Sequence, residues 1–389
     1  MRYQQEADYI IHLLKCAIDG KTPLSPNVSL DWDVIFDLAR RHKIISTLYF
    51  SIIKLPKDII ETIKHFDTYT SLYKRNLILD ANRSYELNHL QSALESNEID
   101  YIFLKGSVIK NYYPDTAMRH MNDIDILFRN ANFKTIDSIF EKFGYKTSHK
   151  TAKDIAYTNP ANHVTIEMQS HLIDRGYSDW YQYLENIWDK CTHENHKYKM
   201  TSEDFYIYHM IHMAKHFKNG GIGLTHILDI HIMTQNFTSI DWEYVNSKLS
   251  QLGLYQFSDT MKTLTNHWFN SENTNSSFTK ELELIATYIF SGGAFGSKKQ
   301  QETNAIVSRG DTKFSIRKKL FPNMTTMVNY YGDFLNKHKY LLPVYWVKLN
   351  SNRLANYKLQ KKDNFNHISS ITESQISATK EVMDICGLK

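Results

Sequence analysis

The sequence predicts an α+β protein in which a small mixed β-sheet is flanked by an N-terminal and a C-terminal helical region. Three observations predict it. Apolar residues recur at helical spacing up to about residue 96. Between 97 and 200 the pattern changes to short apolar or alternating runs bounded by turn residues. From 201 to 389 helical spacing returns. The expected units are therefore 1–96, 97–200 and 201–389.

In the first unit Trp32, Val34, Ile35, Leu38 and Ala39 mark one helix, and Ile59, Ile60, Ile63 and Phe66 a second. A third runs from about Thr70 to Glu95 on Leu77, Leu79, Ala81, Leu87, Leu90 and Leu94, and Asn97 breaks it. Tyr101 to Leu104 is a β-type run ending at Gly106, Asp123 to Phe128 alternates, and Phe133 to Phe143 reads as a helix stopped by Gly144. Ile155 to Tyr157 and His163 to Met168 read as strands separated by Asn159-Pro160. In the last unit Ser202 is a candidate cap for a helix to Phe217. Leu224–Gln235, Tyr244–Leu252, Lys280–Phe290 and Thr372–Ile385 follow as helices, with 291–315 expected to be a loop.

Composition narrows the class. Hydrophobic residues at 42% and charged residues at 23% are those of a soluble globular chain, here expected to be cytoplasmic. A net charge of +4 suits a polyanionic ligand such as a nucleotide but argues only weakly for nucleic acid. Cys16, Cys191 and Cys386 are too far apart for a metal or disulfide framework. No apolar stretch approaches the length of a bilayer span.

The chemistry concentrates in residues 105–128. In a strand, side chains i and i+2 share a face, with Cα atoms about 6.6 Å apart. Asp123 and Asp125 then share one face while Ile124, Ile126 and Phe128 fill the other. Two neighbouring carboxylates repel each other, and a divalent cation such as Mg²⁺ removes the repulsion. On the later strand Thr165, Glu167 and Gln169 would face the same side if the strands are neighbours, making Glu167 a third carboxylate. Three converging carboxylates suit a two-metal site, with the third able to take the proton of an attacking hydroxyl. Lys105-Gly106-Ser107 ends the first strand. Gly106 permits close backbone approach to a phosphate, Ser107 offers a hydroxyl and an N–H at a helix start, and Lys105 or Arg119 supplies positive charge. Each feature alone is commonplace; their combination, in this order, is far more specific.

Leu104-Lys105-Gly106-Ser107, Tyr113-Pro114-Asp115, Arg119 and Asp123-Ile124-Asp125-Ile126-Leu127 together resemble an uncharacterised bacterial nucleotidyltransferase family related to DNA polymerase beta and the aminoglycoside nucleotidyltransferases. The resemblance is strongest over residues 100–170. It implies that Gly106 and Ser107 hold phosphates, that Asp123 and Asp125 bind metal, and that Glu167 completes the set. The implied reaction is transfer of a nucleotidyl group from a nucleoside triphosphate to a hydroxyl on a small molecule or a protein, releasing pyrophosphate. A nucleotide-binding regulatory module without turnover is the alternative. Sixteen positions separate Ser107 from Asp123, more than in the simplest relatives, so the intervening chain must bulge.

Other candidates rank lower. His209, His212 and His216 form one helical stripe but lack a zinc signature, and a polar seam beside the cleft is the expectation, from which Lys215 and His216 reach the nucleotide. Asp229, among apolar residues, is expected to pair with the preceding helix. Gly292-Gly293-Ala294-Phe295-Gly296-Ser297 lacks the ending of a phosphate loop and is expected to be a flexible surface loop, and Arg317-Lys318-Lys319 a solvated basic face.

Overall fold

A computed structural model describes residues 3–270, 279–294, 296–309, 320–332, 334–359 and 371–388. The first helices are α1 (Gln4–Asp19), α2 (Trp32–Arg41), α3 (Ile45–Ile52) and α4 (Lys57–Thr62). Asp31 caps α2 by accepting from the backbone N–H groups of Asp33 and Val34. The 31-residue α5 (Phe66–Ser96) follows, ended at Asn97 as its sequence predicts.

The apolar reading of α5 needs correction. Leu77 and Ile78 are exposed, while Asn76, Asp80, Arg83 and Glu86 are buried. Spacings of three and four put these polar groups on one stripe, and each has a partner, Glu86 accepting from Tyr145 OH at 2.7 Å and Asn159 Nδ2 at 2.9 Å. Asn76 Nδ2 donates to Ala117 O at 2.7 Å and Arg83 Nη2 to Met121 O at 2.6 Å. Asp80 accepts from Lys110 Nζ at 2.7 Å and Thr116 Oγ1 at 2.6 Å. The expected bulge between Ser107 and Asp123 is thus α6 (Gly106–Ile109) and two 3-10 turns, Lys110–Tyr112 and Thr116–Met118, pinned along α5.

Among the described residues the strands lie between 100 and 200: β1 (Asp100–Phe103), β2 (Ile124–Arg129), β3 (Lys146–Lys150), β4 (Asp154–Thr158), β5 (Thr165–Gln169), β6 (Cys191–Glu194) and β7 (Lys197–Met200). Their order is β3-β4-β5-β2-β1-β7-β6. The sheet is mixed: β2–β5 and β1–β7 are parallel, the other neighbours antiparallel. One face packs Ile124, Ile126, Phe128, Ile166 and Met168 against Leu90 and Leu94 of α5 and against Ile136, Ile139 and Phe140 of α7 (Phe133–Lys142). The opposite face, carrying Ile102, Leu104 and Leu127, joins the core built by the helices on either side of the sheet in sequence.

After α8 (Ser178–Glu185) come α9 (Ser202–Asn219), α10 (Leu224–Asn236), α11 (Trp242–Gln251), α12 (Tyr255–Phe269), α13 (Lys280–Gly292) and α14 (Lys298–Arg309). Thr201, not Ser202, caps α9, accepting from Asp204 N. The expected loop over 291–315 is also corrected, because 298–309 is helical; Gly310 and Arg317-Lys318-Lys319 lie outside the described residues. Nor is the glycine segment a surface loop. Gly292, Gly293 and Ala294 are buried, and Ala294 N donates to Arg41 O at 2.8 Å. At Gly293, φ is +90° and a Cβ would stand 2.9 Å from Arg41 O, so glycine is what lets the backbones meet.

His42 completes this joint. Its Nδ1 accepts from Leu224 N at 3.2 Å, which leaves Nε2 to donate to Phe290 O at 3.4 Å. Thr225 Oγ1 donates to His42 O at 2.8 Å. The N-terminal helices are thereby fastened to the helices beyond the sheet, and the site lies at that meeting. Among the described residues, no helix is long and apolar enough to cross a membrane.

Candidate active site

Alternation along β2 turns Asp125 away from the face that buries Ile124 and Ile126. β5 lies beside β2 in parallel, with Glu167 directly opposite Asp125. Asp123 stands one residue before β2 rather than inside it, as the sequence pattern had it. All three carboxylates still line one cleft of ≈ 280 Å³, with Lys105, Gly106, Arg119 and His216. Ser107 and Lys215 are not among its lining residues. Ser107 is buried and donates its hydroxyl to Leu104 O at 2.6 Å. Lys215 Nζ lies 3.7 Å from Asp174 Oδ2. The helix that begins at Gly106 has four residues, too few for a helix dipole of consequence at Ser107.

Lys105 is held in an unusual backbone state, φ +47° and ψ −123°, between β1 and α6. Such strain persists where the surroundings over-determine it. Here they fix Lys105 Nζ 2.6 Å from Asp125 Oδ1. Gln169, which alternation places on the same face, donates from Nε2 to Asp125 Oδ1 at 2.6 Å and to Glu167 Oε1 at 2.8 Å. The sequence located Gln169 on this face without revealing that it couples two carboxylates.

The electrostatics follow from crowding three acids in a half-closed space. Burial, then the charge of Asp125, raises the pKa of Asp123. The same two causes push Glu167 up to about 7. Burial opposes the charge of Lys105, but Asp125 outweighs it and holds the ammonium charged. Across the cleft stand His212, His216 and His226. Burial first, with nearby cations or histidines second, depresses all three, His216 to about 4, so this wall is neutral.

Glu167 makes a testable stability statement. At pH below 4.5 it is protonated whether the chain is folded or not. Between 4.5 and 7 the unfolded chain releases a proton that the folded chain keeps, so stability falls as pH rises and stays lower above 7. Glu167→Gln is therefore expected to raise stability by about 2 kcal/mol at alkaline pH in metal-free buffer, after allowance for partial exposure. Urea unfolding near pH 8 and pH 4.5 checks it; an equal effect at both would remove the electrostatic account.

Arg119 enters the cleft from the pinned segment. Its Nε and Nη2 donate to Asp229 Oδ1 at 2.8 Å and Oδ2 at 2.7 Å, and Tyr113 OH donates to Asp229 Oδ1 at 2.8 Å. Asp229 on α10 thus pairs with a residue 110 positions earlier, not with the preceding helix as expected.

As for cation chemistry, the three carboxylates that line the cleft carry hard oxygen donors of the kind Mg²⁺ takes. Among the described residues, no three of His, Cys, Asp and Glu already stand at metal-holding geometry. Asp125 Oδ1 is instead engaged by Lys105 and Gln169. The donor set fits a site completed by substrate oxygens, with the Lys105 ammonium standing where positive charge is needed.

Comparison with curated proteins finds no match, and comparison with solved structures finds none. A family model described as uncharacterised nucleotidyltransferase matches residues 29–270. The matched span begins just before α2, contains the whole sheet and its carboxylates, and ends just after α12. It covers more than half of the 389 residues, and the chain belongs to that nucleotidyltransferase family.

Proposed function

We propose that the chain transfers a nucleotidyl group from a nucleoside triphosphate to an acceptor hydroxyl, with Mg²⁺, by chemistry of the DNA polymerase beta kind. The observation that carries this reading is the register of β2 and β5, which sets Glu167 opposite Asp125 in a cleft shared with Asp123, Lys105 and Gly106. In this reading residues 97–200 are the catalytic unit, and the helical parts, 1–96 and 201–389, wall the cleft and select the acceptor.

Asp123 and Asp125 would hold Mg²⁺, which supplies charge neutralisation for the triphosphate and polarises its α-phosphate. Gly106 lets the backbone come close to phosphate oxygens, and a Cβ there would press on Met121 Cγ at 3.0 Å and reach toward Arg119 Nη1 at 3.6 Å. Lys105 and Arg119 add positive charge from the same walls. Glu167, its pKa raised to about 7, is suited to take the acceptor's proton near neutral pH. The acceptor oxygen forms a bond to the α-phosphorus, the bond to the bridging oxygen breaks, and pyrophosphate leaves with the electron pair.

The test is incubation of the full chain with each labelled triphosphate, Mg²⁺ and a cell extract, beside Asp123→Ala/Asp125→Ala. Label is expected in an acceptor only with the wild-type chain. Equal labelling by both proteins would overturn the mechanism, and nucleotide binding without labelling by either would favour a regulatory module.

A further inference from the structure

A second cavity, of ≈ 420 Å³, opens beside the cleft and shares Lys43, His120, Met121 and Asn122 with it. Its remaining wall comes from α2, α3 and α5, with His163 from the turn before β5. Arg40, Lys43, Arg75 and Arg83 line it, and among the described residues no Asp or Glu does. Arg40 is drawn to Asp37 at 3.0 Å on the rim. Arg83 is the informative member. It is 4% exposed, makes no ion pair among the described residues, spends Nη2 on Met121 O and leaves Nε without a partner. Asp80, one turn earlier on α5, is committed to Lys110 and Thr116. A guanidinium stays charged at any working pH, and this one feels the carboxylates of Asp80 and Asp123 through space without a hydrogen bond to either, which is costly for a buried charge. Asn76, also buried on this wall, has Oδ1 without a partner. Ile45, Leu72 and Leu79 supply apolar surface between the cations.

We propose that this cavity seats the acceptor, and that the acceptor is a small molecule carrying an anionic group, phosphate or carboxylate, on a partly apolar body. The inference rests on the nucleotidyl-transfer reading. Position favours the acceptor over the triphosphate. The cavity contains none of Lys105, Gly106, Asp125 and Glu167, and its boundary with the cleft is the segment that runs directly into Asp123. In-line displacement needs attacker and leaving group at opposite ends, so a phosphate end at Gly106 leaves the Asp123 side for the hydroxyl. The volume suits a small molecule rather than a protein segment.

The experiment is calorimetric titration of the full chain, without Mg²⁺, with phenyl phosphate and separately with benzoate. One or both are expected to bind, and the preferred probe tells phosphate from carboxylate. Arg75→Glu on the exposed face of α5, with Arg40→Glu as a second variant, is expected to weaken binding by about tenfold or more. The α,β-methylene analogue of ATP with Mg²⁺ is expected to leave the probe bound. Failure of both probes to bind, or unchanged binding in both variants, overturns the proposal. Displacement by the ATP analogue also overturns it, assigning the cavity to the triphosphate. None of these readouts depends on turnover, so a failed labelling experiment would be distinguishable from a failed cavity.

Discussion

Asp125→Asn is expected to lower nucleotidyl transfer by about 10³-fold, equivalent to about 4 kcal/mol of transition-state stabilisation, while the chain stays folded. The substitution keeps size and shape but removes the charge to which two neighbours donate. Lys105 Nζ and Gln169 Nε2 both donate to Asp125 Oδ1, and Glu167 stands opposite in the register. Without that charge Lys105 loses its salt bridge and keeps only the weaker pull of Glu167, and a cation in the cleft would keep only Asp123 and Glu167. Initial rates of pyrophosphate release, with far-ultraviolet dichroism as the folding control, make the measurement. A rate within tenfold of the wild type would show that Asp125 serves only to hold Lys105.

The same residue shows what a single sequence can and cannot disclose. Alternation over Ile124–Phe128 exposed the face of Asp125, and the later run Val164–Met168 exposed that of Glu167, because side-chain period is a local property. Strands β3 and β6 escaped because they read Lys-Thr-Ser-His-Lys and Cys-Thr-His-Glu, with little apolar alternation, and β7, Lys-Tyr-Lys-Met, because its alternation lasts only four residues. All of β3 is exposed, so burial left no pattern in it. Helix α5 misled for the opposite reason. From Asn76 to Arg83 its buried face is polar, because there it holds the carbonyls and side chains of residues 110–121 rather than an apolar core. Contacts such as His42 with Leu224 and Phe290 join residues more than 180 positions apart and leave no local trace. The basic cavity is of that kind too, assembled from separate segments whose charges look like ordinary surface ones in the sequence.

Asp229→Ala is expected to destabilise the chain by about 3–5 kcal/mol, the cost of stranding a buried charge. Asp229 is 1% exposed and the Arg119 side chain 14%, so solvent cannot take over the guanidinium. Removing the carboxylate strands that cation and the Tyr113 hydroxyl together. Thermal or urea unfolding measures the loss. Arg119→Met combined with Asp229→Leu separates stability from function, since replacing both charges by apolar side chains of similar volume costs far less than removing one. The double variant is expected to recover most of the lost stability. Transfer is not expected to return, because Arg119 lines the cleft beside Gly106 and its charge is then gone. Recovery of both would reduce Arg119 to a structural tie between α10 and the segment that α5 holds in place.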